Sequence, residues 1–107
     1  MLGARKVVLR RGHLTIGRDA QCDLTISDGS VSRRHARFDV TTSAAYLEDL
    51  NSKNGVQVNG QRLTSKQALS DGAVVLLGGV LATFHVLTDS SQSTETISLL
   101  TPGAAPQ

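Results

Sequence analysis

The sequence has very few aromatic residues and only one cysteine. Aromatic side chains make up 3% of its 107 residues, and there is no tryptophan. A core must therefore be filled mainly by Val, Leu, Ile and Ala around Phe38, Tyr46 and Phe84. The lone Cys22 excludes an intramolecular disulfide and is interpreted as a small apolar residue near a loop. Because a chain without disulfides fits a reducing compartment, we predict a cytoplasmic location.

A membrane span, a secretory leader and a large basic surface are also missing. No apolar run approaches the roughly 20 residues that a membrane-spanning helix needs. The basic N-terminus is followed by no hydrophobic region of a signal peptide. The formal net charge of +2 is too small to indicate a dedicated nucleic-acid binder. We therefore expect partners that are neither membranes nor nucleic acids.

The hydrophobic pattern lacks a helical period. Apolar residues never recur every 3.6 positions over a full helical length, whereas residues 36–41 alternate strictly and frequent turn signals separate other short apolar runs. The clearest hairpin signal is Asn59-Gly60, a two-residue connection between residues 56–58 and residues 61–63. The pattern predicts an all-β fold of many short strands, arranged as a β-sandwich or a small barrel.

The composition changes after about residue 88. Residues 88–101 are rich in Ser and Thr without an aromatic residue, and residues 102–107 contain both prolines of the chain. Such a segment buries too little apolar surface to offset the entropy lost on ordering. We therefore expect a folded domain over residues 1–88 and a flexible tail or linker over residues 89–107.

The densest cluster of hydrogen-bond donors is Ser32-Arg33-Arg34-His35, where a predicted loop enters a predicted strand. It combines a hydroxyl, two guanidinium groups and an imidazole and contains no carboxylate, which indicates an anion-binding site on a loop. Ser32 and His35 are not interpreted as a nucleophile and its base, because the strand-to-helix elbow and the orienting carboxylate are missing. The three histidines also lack the spacing of metal ligands, so no metal is expected.

Five motifs follow one another in a fixed order: Gly17-Arg18, Ser32-x-x-His35, residues 49–55, Asn59-Gly60 and Asp71-Gly72. In this order and spacing they resemble the forkhead-associated (FHA) domain. The resemblance implies an all-β, two-sheet antiparallel sandwich with a peptide site on the loops at one end. It also implies a module without enzymatic activity or cofactor that binds phosphothreonine peptides in preference to phosphoserine peptides.

The resemblance, which covers residues 6–87, also assigns roles to individual residues. The residues that match phosphate-binding positions are Arg18, Ser32, Arg33 and Arg34. Asn54 matches the asparagine that bonds to the peptide main chain, and Lys53 lies near the phosphothreonine, where other members often carry a small hydroxyl residue. The residues that match loop-structuring positions are Gly17, His35 and Gly55.

Most of these residues also have a simpler interpretation. Arg18 could be a surface arginine paired with Asp19 or Asp23, and Ser32 could cap its own backbone. Arg33 and Arg34 could form a solvated basic face. Asn54 could serve only as the turn residue before Gly55.

The predicted function is recruitment of a phosphothreonine-containing protein after a Ser/Thr kinase has acted. The main alternative is a phosphate-independent scaffold or oligomerisation domain of the same fold. A third hypothesis is a general anion or nucleic-acid binder that uses Arg33 and Arg34, which the mild charge disfavours. A further hypothesis is that phosphorylated Thr94 or Thr96, each followed three positions later by an aliphatic residue, occupies the pocket of its own or a neighbouring molecule.

Overall fold

The computed structural model describes residues 3–88 and 93–101, and within them the chain forms strands and no helix. The strands are β1 (Gly3–Leu9), β2 (Gly12–Gly17), β3 (Leu24–Thr25), β4 (Ala36–Val40), β5 (Ala45–Asp49), β6 (Val56–Val58), β7 (Gln61–Arg62), β8 (Gln67–Leu69), β9 (Val74–Leu77), β10 (Val80–Thr88) and β11 (Ser93–Thr101). They form two sheets around one core, which confirms the predicted all-β sandwich.

The two sheets divide the strands unequally. One has six strands in the order β1-β11-β10-β9-β6-β7, and the other has five in the order β3-β2-β4-β5-β8. Among the described residues the pairings are antiparallel except that of β2 with β3, which run parallel with Ile16 opposite Leu24. The chain passes from one sheet to the other between β1 and β2, where Gly12 has a φ of 112°.

The core is built by alternation along each strand. Phe38 of β4 and Phe84 of β10 contribute one fully buried ring from each sheet. The expectation that Tyr46 also belongs to the core is wrong. Tyr46 alternates with buried Ala45 and Leu47, so its side chain lies on the outer face of the five-stranded sheet and is only half-buried.

The predicted Asn59-Gly60 hairpin is confirmed. Val58 pairs with Gln61 across the turn, and Asn59 and Gly60 have φ values of 51° and 85°. Two successive positive φ values are what a two-residue type I′ turn requires, and Asn and Gly are the residues that tolerate them best. The Oδ1 of Asn59 also accepts a hydrogen bond of 2.9 Å from the Val74 N–H, which ties the hairpin to β9.

The structure corrects part of the predicted flexible tail, because residues 93–101 form β11. This strand lies between β1 and β10, and it contributes buried Ile97 and Leu99 to the core. Its Ser and Thr residues largely occupy the alternate positions, and Thr has a high preference for strands, which the composition argument overlooked. Residues 89–92 and 102–107 of the predicted tail lie outside the described residues.

The position of β11 also corrects the hypothesis that the tail binds in the pocket. Thr96 is 2% exposed and pairs with both Val8 and His85, and the main chain of Thr94 pairs with Leu87. Neither threonine can enter a peptide site while β11 stays in the sheet.

The outer faces of the two sheets differ in chemistry. The large hydrophobic residues that remain exposed in the described part of the chain all lie on the six-stranded sheet: Val8, Val74, Leu81 and Leu87. Each alternates with inward-facing residues and therefore points away from the core. The outer face of the six-stranded sheet thus carries exposed apolar side chains among polar ones, whereas the outer face of the five-stranded sheet is charged.

Asp39 is the centre of that charged face. Its carboxylate is 7% exposed and contacts His13, Lys66 and, at 3.3 Å, the Nε of Arg37. Burial alone raises the pKa of Asp39, but the hydrogen bonds from Lys66 and His13 and the charge of Arg37 together outweigh burial and hold the pKa below its usual value. Asp39 therefore joins β2, β4 and the segment before β8 through ionic contacts.

Candidate functional site

Three loops meet at one end of the sandwich. They are the β2–β3 loop (residues 18–23), the β3–β4 loop (residues 26–35) and the β5–β6 loop (residues 50–55). The N–H of Arg18 donates to the carbonyl of Ser32 at 2.9 Å, and Nδ2 of Asn54 donates to the carbonyl of Ser30 at 2.8 Å. The middle loop is thus bonded to both of its neighbours, so residues far apart in sequence form one surface.

Arg18 is held in place at its Nε and open at its end. The Nε donates to the carbonyl of Val31 at 3.0 Å, and the side chain is exposed. The alternative pairing with nearby carboxylates is not found: Asp19 accepts from a main-chain N–H, and Asp23 pairs with Arg10 at 3.3 Å. Within the described residues the two terminal nitrogens of Arg18 therefore have no partner, and because the side chain is exposed they are accessible to an acceptor from outside.

Gly17 allows the β2–β3 and β3–β4 loops to touch. A Cβ atom at residue 17 would lie 2.1 Å from the carbonyl oxygen of Arg33, far closer than any real contact. That same carbonyl accepts a hydrogen bond of 3.1 Å from the N–H of Asp19. Gly17 is therefore needed for close packing of the two backbones that carry the donors.

Ser32 has a hydroxyl whose own proton is free. Its Oγ accepts a hydrogen bond of 2.9 Å from the N–H of Lys53, which fixes the oxygen between two loops. No acceptor for the Ser32 hydroxyl proton is present in the described part of the chain, and Ser32 does not cap its own backbone. The hydroxyl can consequently donate outward, toward a ligand.

His35 joins the loops from below. It is fully buried, its Nδ1 accepts from the N–H of Ser32 at 3.0 Å, and its Nε2 lies 2.7 Å from the carbonyl oxygen of Gly55. Because the Ser32 N–H can only donate and the Gly55 carbonyl can only accept, the ring carries its proton on Nε2. The main chain of His35 also bonds to Ile16 and Leu50, so this residue connects both strands and loops.

Arg33 and Arg34 present their side chains to solvent. Neither has a carboxylate partner among residues 3–88 and 93–101, so both guanidinium groups are accessible to an anion. The carbonyl of Arg33 accepts a hydrogen bond from the thiol of Cys22 at 3.1 Å. Burial, followed by the charge of Asp19, raises the pKa of Cys22, so this thiol stays protonated and supports the loop as a donor.

The β5–β6 loop presents Lys53 and Asn54 on its exposed side. Ser52 fixes the loop from within, since its N–H donates to Asp49 and its Oγ accepts from the N–H of Gly55, both at 2.9 Å. Gly55 has a φ of 81°, a conformation that disfavours other residues. One N–H of the Asn54 amide bonds to Ser30, which leaves its oxygen and its second N–H for another partner.

Asp28 is a supporting residue that the sequence reasoning did not identify. Its Oδ1 accepts from the hydroxyl of Ser30 at 2.6 Å and from the Ser30 N–H at 2.9 Å. These two hydrogen bonds lower the pKa of Asp28. The Ser30 oxygen in turn accepts from the N–H of Gly79 at 2.8 Å, so Asp28 indirectly fixes the β9–β10 turn. In the sequence, the Asp-x-Ser spacing of Asp28 and Ser30 is the signal that could have indicated their hydrogen bonds.

A cleft of about 260 Å³ lies beside this surface but is chemically different. Glu48, Asp49, Asn51, Leu63, Thr64 and Ser65 line it. Two carboxylates make the cleft unsuited to a phosphate.

In the described part of the chain, no three His, Cys, Asp or Glu side chains are grouped as metal ligands, and no helix is long and apolar enough to cross a membrane.

The comparison with known proteins identifies the family of the chain. The family model of the FHA domain matches residues 14–78. The chain therefore belongs to the FHA domain family, as its motifs predicted. This family assignment covers the three loops of the candidate site and the strands β2 to β9.

The chain is similar to curated proteins of Mycobacterium, Mycolicibacterium and Corynebacterium. The chain is 40% identical over 74 residues to the FHA domain-containing protein FhaA of Mycobacterium tuberculosis, a match that covers 69% of this chain and 14% of FhaA. It is 32% identical over 77 residues to FhaB of Mycolicibacterium smegmatis, and the match covers 72% of this chain and 50% of FhaB. It is 38% identical over 76 residues to the oxoglutarate dehydrogenase inhibitor of Corynebacterium diphtheriae, and the match covers 71% of this chain and 52% of that protein. The matches thus span from a seventh to about half of these relatives.

Solved structures give the same result for the fold. One is an FHA domain from a study of phosphothreonine-dependent FHA interactions, with a TM-score of 0.65, 29% identity and coverage of 89% of this chain and 93% of that one. Another is the FHA domain of FhaA complexed with the intracellular domain of Rv3910, with a TM-score of 0.65, 28% identity and coverage of 90% and 99%.

Proposed function

We propose that this chain is a non-enzymatic, phosphothreonine-binding module that recruits a partner protein in the cytoplasm after a Ser/Thr kinase has phosphorylated it. The observation that carries the proposal is that the guanidinium group of Arg18 is fixed at one end and unpaired at the other within the described residues. Its guanidinium is held through Nε by Val31 and has no carboxylate partner among the described residues, although Asp19 and Asp23 are near in sequence. Beside it, the loop of Ser32 presents a hydroxyl whose proton has no acceptor among residues 3–88 and 93–101.

These donors match the chemistry of a phosphorylated side chain. Phosphothreonine carries about −1.5 to −2 charges near neutral pH and three strong acceptor oxygens. The fork of Arg18 supplies two parallel donors to such a group, and the Ser32 hydroxyl supplies a third. Arg33, Arg34 and Lys53 add positive charge around the same surface. Each charge-assisted hydrogen bond contributes roughly 1.5–3 kcal/mol, whereas an affinity on the order of micromolar corresponds to about 8 kcal/mol after the entropy lost on binding. We therefore expect the phosphate contacts to reach that affinity only together with contacts to the peptide main chain.

Asn54 supplies the contact to the peptide itself. Its amide still has one donor and one acceptor free after it has bonded to Ser30, and an extended peptide main chain offers both complementary groups. A site of this kind binds a phosphate and the adjoining backbone together. Free phosphate alone would therefore bind more weakly than a phosphothreonine peptide.

The test is a titration of the isotope-labelled protein with a phosphothreonine peptide, followed by the amide signals in two-dimensional NMR spectra. We expect the largest changes at Arg18, at residues 30–35 and at residues 52–55. The unphosphorylated peptide is the control and should leave these signals unchanged. If the phosphopeptide changed none of them, the assignment of the site would be wrong.

One observation favours the alternative of a phosphate-independent scaffold domain. Val8, Val74, Leu81 and Leu87 are exposed on the outer face of the six-stranded sheet, where Thr83, His85 and Thr96 lie between them, and such apolar side chains can contribute to a protein contact. The same NMR spectra, recorded with a candidate partner protein in its unphosphorylated form, separate the two functions. A scaffold partner would change the signals of these four residues, whereas a phosphopeptide would change those of the loops.

A further inference from the structure

Arg62 lies next to the candidate site, although none of the sequence motifs includes it. It is the last residue of β7, the edge strand of the six-stranded sheet, and it pairs with Gln57 of β6. The position two residues before Gln57 faces the same side of the sheet and is occupied by Gly55. The register therefore directs the Arg62 side chain diagonally toward the β5–β6 loop.

The guanidinium group of Arg62 packs on Gly55. A Cβ atom at residue 55 would lie 2.8 Å from both Cζ and Nη2 of Arg62 and 3.0 Å from its Nε. The missing side chain of Gly55 thus creates the space that the guanidinium occupies. Gly55 directly follows Asn54, and its carbonyl bonds to His35. Arg62 therefore packs on the residue that directly follows Asn54, the proposed contact to the peptide main chain.

This guanidinium has no partner of its own in the described part of the chain. Arg10 and Arg37 pair with carboxylates, and Arg5 and Arg18 donate to main-chain carbonyls. Arg33 and Arg34 of the candidate site share with Arg62 the lack of a carboxylate partner among the described residues. Arg62 is also exposed, so a ligand can reach it. An arginine that is positioned by packing but lacks an acceptor is suited to receive one from outside.

We propose that Arg62 is a specificity-determining residue that binds an acidic side chain of the peptide close to the phosphothreonine. The inference rests on the proposed function, because it requires the peptide to pass Asn54. A carboxylate of Asp or Glu matches the guanidinium fork geometrically. Since ion pairs at exposed sites contribute little, we expect an acidic residue at one flanking position to strengthen binding by roughly two- to fivefold.

The experiment measures the affinity of a phosphothreonine peptide with alanine at its flanking positions and of a series in which a single Asp replaces each alanine in turn. The proteins are the wild type, R62Q and the matched control R11Q, which removes the same charge from an exposed arginine in the β1–β2 turn. We expect the wild type and R11Q to prefer Asp at the same position. R62Q should bind the alanine peptide as the wild type does and lose that preference. A fourth protein, R62E, should prefer a peptide with Lys at that position.

The outcomes separate this inference from the proposed function. If the wild type binds the alanine peptide and prefers Asp nowhere, or if R62Q retains the preference, Arg62 does not determine specificity and the phosphothreonine site is unaffected. If the wild type does not bind the alanine phosphopeptide or any Asp-containing version of it, the proposed function and this inference both fail.

Discussion

The main-chain N–H of Ser32 donates to Nδ1 of His35, and the opposite nitrogen of the same ring bonds to the carbonyl of Gly55. One buried imidazole thus connects the loop that carries the Ser32 hydroxyl, the proposed phosphate donor, with the loop that carries Asn54. We predict that H35A removes two buried hydrogen bonds and lowers the free energy of unfolding by about 2–5 kcal/mol. Urea denaturation measures this loss, and a phosphothreonine titration of the folded fraction measures the accompanying loss of affinity. Unchanged stability would contradict the connecting role of His35.

Gly17 offers a test of how closely the loops must approach. In G17A the new methyl group would overlap the Arg33 carbonyl, which belongs to the backbone and cannot rotate away. We expect a loss of about 1–3 kcal/mol in stability together with weaker phosphopeptide binding, because the donors on both loops are displaced. Thermal unfolding and a peptide titration check both effects.

Gly29 provides the matched control for this substitution. A Cβ atom there meets nothing within 4 Å, although Gly29 lies in the same β3–β4 loop. G29A should therefore keep the stability and affinity of the wild type. If G17A and G29A lost equal amounts of stability and affinity, loop flexibility rather than the close approach of residues 17 and 33 would determine both properties.

The ionic cluster around Asp39 predicts a dependence of stability on pH. Its pKa is lowered in the folded protein relative to about 3.9 in an unfolded chain, so the charged carboxylate stabilises the fold above that pH. This contribution is lost as the pH falls through the folded-state pKa. D39N should therefore be less stable than the wild type at neutral pH, because Arg37 and Lys66 lose their shared partner. Urea denaturation between pH 7 and pH 2 should show the difference shrinking as the pH falls, and a constant difference would contradict the account.

The position of β11 within the sheet predicts that shortening one of its core side chains lowers the stability of the protein strongly. Ile97 is fully buried between β1 and β10, so I97A should lower the free energy of unfolding by about 2–5 kcal/mol. T94A is the matched control in the same strand, since the Thr94 side chain is exposed. Chemical denaturation of both variants measures their free energies of unfolding. An I97A protein as stable as T94A would mean that this strand does not contribute to the core.

Much of the fold could be predicted because local signals were strong. Asn59-Gly60 determines a hairpin almost by itself, and the alternation around Phe38 marks a strand with one buried face. The membership of β11 was missed because Ser and Thr lower the apparent hydrophobicity of this segment. Ile97 and Leu99 lie between the neighbouring strand β10 and the strand β1 from the other end of the sequence, and the pairing with β1 leaves no local signal. Tyr46 was misassigned because aromatic content was counted without regard to which face each position occupies.

For the candidate site, the sequence motifs indicated candidate residues but not the contacts between them. Motifs identified Arg18 and Ser32, yet only the folded chain shows that Val31 holds the Arg18 side chain and that Lys53 leaves the Ser32 proton free. Arg62 carries no motif signal, because its proximity to Gly55 arises from the pairing of β6 with β7. Contacts between distant segments are the information that spacing along the sequence does not contain.

The most direct test of the central claim is a fluorescence-anisotropy titration of the wild type and R18A with three degenerate peptide libraries, which carry phosphothreonine, phosphoserine or unphosphorylated threonine at the fixed position. The account predicts binding of the wild type to the phosphothreonine library alone, with an affinity on the order of micromolar, and loss of most of that binding in R18A without unfolding. Equal binding of the wild type to all three libraries, binding to none of them, or an R18A variant that binds like the wild type would contradict the account.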